Sequence, residues 1–130
     1  MAALLADDGV AAYVHGLGLA ALAGVELEAL GTEAIGGGNL NYAWRCGTAE
    51  VGVFVKQAPE YIKCLGEAYA LTAARAGFES AALRALADVS PANVPRVLHF
   101  DAARSVIVME HLGGGFRLLR DDLLAGKAKK

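Results

Sequence analysis

Apolar and polar positions change period four times along the chain. Val10, Tyr13, Val14 and Leu17 fall at i, i+3, i+4 and i+7, the spacing of one helical face. They predict a short helix over 10–17, with Asp7 or Asp8 available to cap it. From residue 28 the period is two. Segments 28–35, 39–46 and 51–56 read as an antiparallel meander, with Leu40, Tyr42 and Trp44 alternating with Asn41, Ala43 and Arg45. In the third strand Val51, Val53 and Val55 share one face, and Gly52, Phe54 and Lys56 share the other. Pro59 ends that strand, and 59–66 reads as an irregular connection.

A long helix is then predicted over 67–88. Its buried stripe is Leu71, Ala74, Phe78, Ala82, Ala85 and Val89, with Ala81 and Leu86 beside it. Glu79 lies next to that stripe, where Arg75 is an i, i+4 partner for it. Pro91 and Pro95 close the helix. Two more strands follow over 96–100 and 105–110, joined by a turn at 101–104. The second carries the apolar run Val106, Ile107, Val108 and Met109, as a central strand does. A last helix is predicted over 116–124, and the basic tail from Lys127 reads as a solvated end.

Composition narrows the class. A chain of 130 residues, 55% apolar and 20% charged, suits one small globular domain. A net charge of −2 argues against a nucleic-acid surface, so any anion site must be local. Cys46 and Cys64 are too few for a disulfide framework and read as free thiols in a reducing compartment. His15, His99 and His111 show no metal-ligand spacing with either cysteine. The first residues lack the basic start of a secretory signal. The uncharged stretch 9–25 is short and interrupted by glycines, so it reads as a buried helix and not a membrane span. The expectation is a cytoplasmic protein with no membrane and no nucleic-acid partner.

The chemistry concentrates between residues 35 and 57. Gly36, Gly37 and Gly38 leave a bend without Cβ atoms, which allows close backbone approach and positive φ. Successive N–H groups in such a bend can cradle phosphate oxygens; a plain flexible turn is the competing reading. Asn39 follows at once. Lys56 ends the third strand on the face next to this hairpin. No G-x-x-x-x-G-K-[ST] is present, and the loop does not open a helix. A glycine hairpin facing a strand lysine is how protein-kinase-like folds hold ATP, and those folds need one acid on the following helix. Glu79 is the acid inside that helix. The order of elements then predicts an α+β kinase-like small lobe. It has a five-stranded antiparallel sheet, one long packed helix, an N-terminal helix and the start of a C-terminal one.

Four segments carry a closer resemblance: Ile35-Gly-Gly-Gly-Asn-Leu-Asn41, Val55-Lys-Gln-Ala58, Gly66-Glu-Ala-Tyr-Ala-Leu-Thr72 and Val106-Ile-Val-Met-Glu110. Together they resemble the S-methyl-5-thioribose kinase family, over about 10–126. Aminoglycoside and choline kinases share the fold without that set. The resemblance implies a transferase of methionine salvage that moves the ATP γ-phosphoryl group to the 1-hydroxyl of methylthioribose. It also implies ATP and methylthioribose as ligands, Mg²⁺ as cofactor and a tendency to homodimers. Carried across, Gly36, Gly37, Gly38 and Asn39 form the loop over the nucleotide, and Lys56 holds the α- and β-phosphates. Glu79 orients the lysine. Glu110, His111 and Leu112 form the hinge that binds adenine through backbone groups, and Tyr69 lies toward the sugar. Departures from the family pattern are Gly37 for Asp, Tyr69 and Ala70 for Trp and Pro, His111 for Asp, and the glycine run 113–115.

The resemblance also implies a division into an N-terminal helical segment (1–27), a small lobe with hinge (28–112) and the start of a second lobe (113–130). The Asp that orients the hydroxyl and the acidic Mg²⁺ ligands of such kinases belong to a second lobe. His99-Phe100-Asp101 lies before the hinge and reads as a strand end and turn. The expectation is a nucleotide-binding lobe without turnover of its own. The alternatives are a lobe of another aminoglycoside- or choline-kinase-like enzyme, or a non-catalytic regulatory fragment.

Overall fold

Two different parts of the sequence cover the two faces of one antiparallel sheet. A computed structural model describes residues 3–113 and 115–127; Gly114 of the second glycine run and residues 128–130 of the basic tail lie outside the described residues. After a 3-10 turn at Asp7–Gly9, α1 runs over Val10–Gly16. Two further 3-10 turns, Ala20–Leu22 and Leu27–Ala29, lead into β1 (Gly31–Ala34), β2 (Tyr42–Gly47) and β3 (Gly52–Gln57). A two-stranded ribbon of β4 (Tyr61–Ile62) and β5 (Gly66–Ala70) precedes α2 (Arg75–Val89). Then come β6 (Val97–Asp101), β7 (Val106–Glu110) and the short α3 (Leu119–Leu124). The five-stranded sheet has the order β1-β2-β3-β7-β6. This is the α+β, small-lobe-like architecture that the sequence predicts.

The alternation read in β3 assigns each face its cover. Val53 and Val55 join Trp44, Cys46, Val106 and Val108 against Val10, Val14, Leu22 and Leu30 of the N-terminal segment. Asp7 does not cap α1, whose N-cap is Gly9 without a side-chain bond. Its carboxylate instead accepts the Trp44 Nε1–H at 2.6 Å, so the acid gives the buried indole the partner it requires. Gln57, only 1% exposed, accepts the Leu5 N–H at 2.8 Å and donates to the carbonyls of Ala3 and Arg104 at 3.2 and 3.1 Å. One buried amide thus ties the N-terminal arm to the sheet.

On the other face α2 meets Phe54, Ile107, Met109 and Phe100. Two sequence expectations fail here. Residues 66–70 are strand, and the helix starts at Arg75 instead of 67. Gly66 takes φ +93°, and the Thr72 hydroxyl accepts the Ala74 N–H at 3.2 Å, a local turn that starts the helix late. The buried stripe is also rotated. Ala76 and Ser80 are buried and Ala73 and Leu83 pack inward, while Phe78 and Val89 are 77% and 83% exposed. The sheet supplies the bulk, so the helix presents small residues. A Cβ on Gly77 would lie 3.7 Å from the Phe100 ring, ordinary contact that marks how close the helix comes.

Two outcomes follow. Ile107→Ala removes a fully buried side chain and should lower the urea-derived unfolding free energy by about 2–5 kcal/mol, whereas Phe78→Ala should change it by no more than about 0.5 kcal/mol. Burial pushes the Cys46 thiol above its ordinary value, while Cys64 is exposed. Iodoacetamide at about pH 8 should therefore label Cys64 in the native chain, and Cys46 only after denaturation, as read by peptide mass spectrometry.

Candidate functional site

The register of β3 sets Lys56 opposite Ala43 of β2 and Ile107 of β7. Its side chain leaves the sheet on the face that α2 covers. There its Nζ donates to both Glu79 carboxylate oxygens, at 2.7 and 2.9 Å. The two side chains are 27% and 35% exposed, so the pair lines a surface and not the core. Arg75, the other partner suggested for Glu79, is engaged elsewhere. Its Nε and Nη2 donate to Asn41 Oδ1 at 3.2 and 2.9 Å, and Nη2 also to the Leu40 carbonyl at 3.1 Å. Nη1 donates to the carbonyls of Leu71 and Thr72 at 3.2 and 2.7 Å.

The glycine loop joins β1 to β2. The Ile35 N–H donates to the Ala43 carbonyl at 2.8 Å and carries the ladder up to it. Of the three glycines, Gly37 takes the left-handed conformation, with φ +83°. The loop is held by its carbonyls. Gly37 O accepts from Arg120 Nη1 at 3.1 Å, Gly38 O from Lys63 Nζ at 3.5 Å, Asn39 O from the Cys64 N–H at 3.0 Å and Leu40 O from Arg75. Among the described residues, no amide N–H of 36–41 donates to a protein acceptor. Lys63, Arg75 and Arg120 were not singled out as loop anchors from sequence; a lone cation gives no spacing signal for a partner on a distant loop.

Beside this face lies an apolar slot of about 440 Å³, lined by Ile35, Phe54, Met109, Glu110, Leu112 and Phe116 among others. Phe54, which lines the slot, and Lys56 share one face of β3. Glu110 Oε1 accepts the Arg96 N–H at 2.9 Å, and His111 Nδ1 accepts the Gly113 N–H at 3.1 Å, which fix the predicted hinge to β6 and to itself. A larger concavity of about 750 Å³ runs along the outer β1–β2–β3 edge beside Glu33, Arg45 and Glu50. It is more polar; Lys56 lines neither space, and the smaller slot is the one that joins apolar side chains to Glu110, His111 and Leu112. Tyr69 stands on β5 and is 55% exposed. The structure thus brings Lys56 and Glu79 into contact, and sets the hinge and Ile35 around one slot.

An apolar slot, a side-chain-free loop with open N–H groups and an ammonium held by a carboxylate suit a flat ring with a polyanionic tail. Asp101 is occupied: Oδ1 accepts the Arg104 N–H at 3.0 Å and Oδ2 the Tyr13 hydroxyl at 3.1 Å, the turn expected for His99-Phe100-Asp101. Burial, then the bond to Asp101, pushes the Tyr13 hydroxyl well above its ordinary range. Among the described residues, no group of three or more His, Cys, Asp or Glu side chains gathers as a metal site, and no helix is long and apolar enough to cross a membrane.

Comparison with curated proteins gives the relationship. The chain is 37% identical over 123 residues to methylthioribose kinase 1 of Oryza sativa subsp. japonica, covering 94% of this chain and 29% of that protein. It is 42% identical over 95 residues to the methylthioribose kinase of Bacillus pumilus, covering 72% and 24%. It is 40% identical over 100 residues to that of Geobacillus sp. (strain WCH70), covering 75% and 25%. The chain is a homologue of the methylthioribose kinases. It spans about a quarter of the length of these relatives, and no protein-family model matches it. The part shared with the rice protein is nearly the whole chain and so takes in the sheet and α2.

An ion pair this exposed contributes little to folding. Lys56→Met and Glu79→Gln should each change the unfolding free energy by less than about 1 kcal/mol in urea titrations; a larger loss would make the pair a structural strut.

Proposed function

We propose that the chain forms the ATP-binding lobe of a methylthioribose kinase, which transfers the ATP γ-phosphoryl group to the 1-hydroxyl of S-methyl-5-thioribose in methionine salvage. The contact of Lys56 with both oxygens of Glu79 carries this reading. A strand lysine oriented by a helix glutamate is the working arrangement of kinase small lobes, and it occurs here in a homologue of that enzyme.

In this reading each part has a physical task. Glu79 holds the flexible Lys56 stem in one rotamer, so less entropy is lost when the ammonium meets the α- and β-phosphates. The loop Gly36, Gly37, Gly38 and Asn39 brings backbone N–H groups to the phosphates without a side chain in the way. Ile35, Phe54, Met109 and Leu112 flank the adenine ring, and the backbone of Glu110, His111 and Leu112 bonds its edge. Tyr69 is assigned to the sugar side. Residues 28–112 form the lobe with its hinge, after a helical segment over 1–27, and 113–130 start the second lobe. ATP binds as substrate with Mg²⁺, for which the described residues supply no ligand set, and no metal step is placed on them. The Asp that orients the hydroxyl belongs, in this reading, to the second lobe. Location in the cytoplasm is part of the same reading.

Isothermal titration of the chain with ATP tests it. Wild type should bind, and Lys56→Met should weaken binding at least about tenfold, the loss of one charge-assisted phosphate contact, with the far-UV spectrum unchanged. Binding that is indifferent to Lys56 would remove the proposal.

A further inference from the structure

Arg75 uses every donor it has. A guanidinium carries five N–H groups, and Arg75 makes five bonds: two to Asn41 Oδ1 and one each to the carbonyls of Leu40, Leu71 and Thr72. The acceptors come from two separate segments, the exit of the glycine loop and the connection from β5 to α2. Arg75 is the first residue of α2, and Glu79 follows one turn later. The same helical turn therefore grips the loop at one end and Lys56 at the other.

That geometry matters because the loop has few other holds. Glycines lose the most backbone freedom on ordering. The other bonds to its carbonyls are one each from Arg120, Lys63 and the Cys64 N–H, and the Lys63 bond is long at 3.5 Å. Three of the Arg75 bonds act on residues 40 and 41, and they hold the loop without using its N–H groups. We propose that Arg75 is a positioning residue for polyphosphate binding: it fixes the exit of the glycine loop relative to the Lys56–Glu79 pair. The inference rests on reading the site as a nucleotide lobe. Lysine cannot replace it, because three donors at one point cannot span acceptors that a planar fork reaches together.

The test uses the whole chain, titrated with ATP and separately with adenosine, together with backbone ¹⁵N order parameters of residues 36–41 without ligand. Arg75→Gln and Arg75→Lys should each weaken ATP binding at least about tenfold, move adenosine by less than about threefold, and lower the order parameters of 36–41 below about 0.6 while β3 and β7 stay rigid. Asn41→Ala should show the same split, and should add nothing to Arg75→Gln in the double variant. The proposal is overturned if Arg75→Gln binds ATP as wild type does, or if it loses ATP and adenosine equally. Should Arg75→Gln fail to fold by circular dichroism, Asn41→Ala carries the same comparison. If wild type does not bind ATP, or binds it equally well with Lys56→Met, the nucleotide reading is what has failed. The order parameters of 36–41 then still decide whether Arg75 fixes the loop, since unchanged values sink it.

Discussion

Lys56 leaves the centre of the sheet on the face that α2 covers, and Glu79 of that helix meets it. Lys56 sits between β2 and β7, with sheet on both sides. It reaches Glu79 at 2.7 and 2.9 Å, while packing on Phe54, Phe100, Ile107 and Met109 sets which face of α2 looks down. With Ala76 and Ser80 turned inward and Phe78 turned out, Glu79 comes to lie beside Lys56. The helix can then approach only where the sheet leaves room, and Gly77 over Phe100 marks that approach. A pair this exposed adds little stability; what it supplies is orientation.

The opposite face is built for stability. Val10, Val14, Val53, Val55, Val106 and Val108 are all at most 1% exposed, and Gln57 and Asp7 add bonds from the N-terminal arm to strand ends. One side of the sheet is thus a dense apolar layer and the other carries the Lys56–Glu79 pair close to solvent. Strand alternation makes this division possible: Val55 and Lys56 are neighbours in sequence and opposites in role.

Much of this was legible. The two faces of β3, the buried run of β7 and the glycine loop follow from period and composition, and Glu79 as the acid for Lys56 from the likeness to kinase-like folds. The start and rotation of α2 did not. Apolar size alone points to Phe78 as buried, but Phe54, Phe100, Ile107 and Met109 already fill that space, so alanines and serine go in and the phenylalanine comes out. The ribbon 61–70 was hidden because Gly66 and Thr72 act through local backbone conformation, which leaves no periodic trace. Asp7 had the right chemistry for a cap, yet a buried indole nitrogen competes for the same oxygen.

Arg75 marks the limit of a one-dimensional reading most clearly. Its spacing to Glu79 suggests a surface pair, but its acceptor lies 34 residues earlier, and only the fold closes that distance. The consequence reaches the loop. A bend held through its N–H groups would have none left for an anion. Here the carbonyls of Gly37, Gly38, Asn39 and Leu40 take the anchoring bonds. Cationic side chains supply three of those four donors, which places positive charge behind the bend while its amides stay open. Backbone dipoles and side-chain charges then favour the same sign of ligand, on a chain whose net charge of −2 would otherwise repel it.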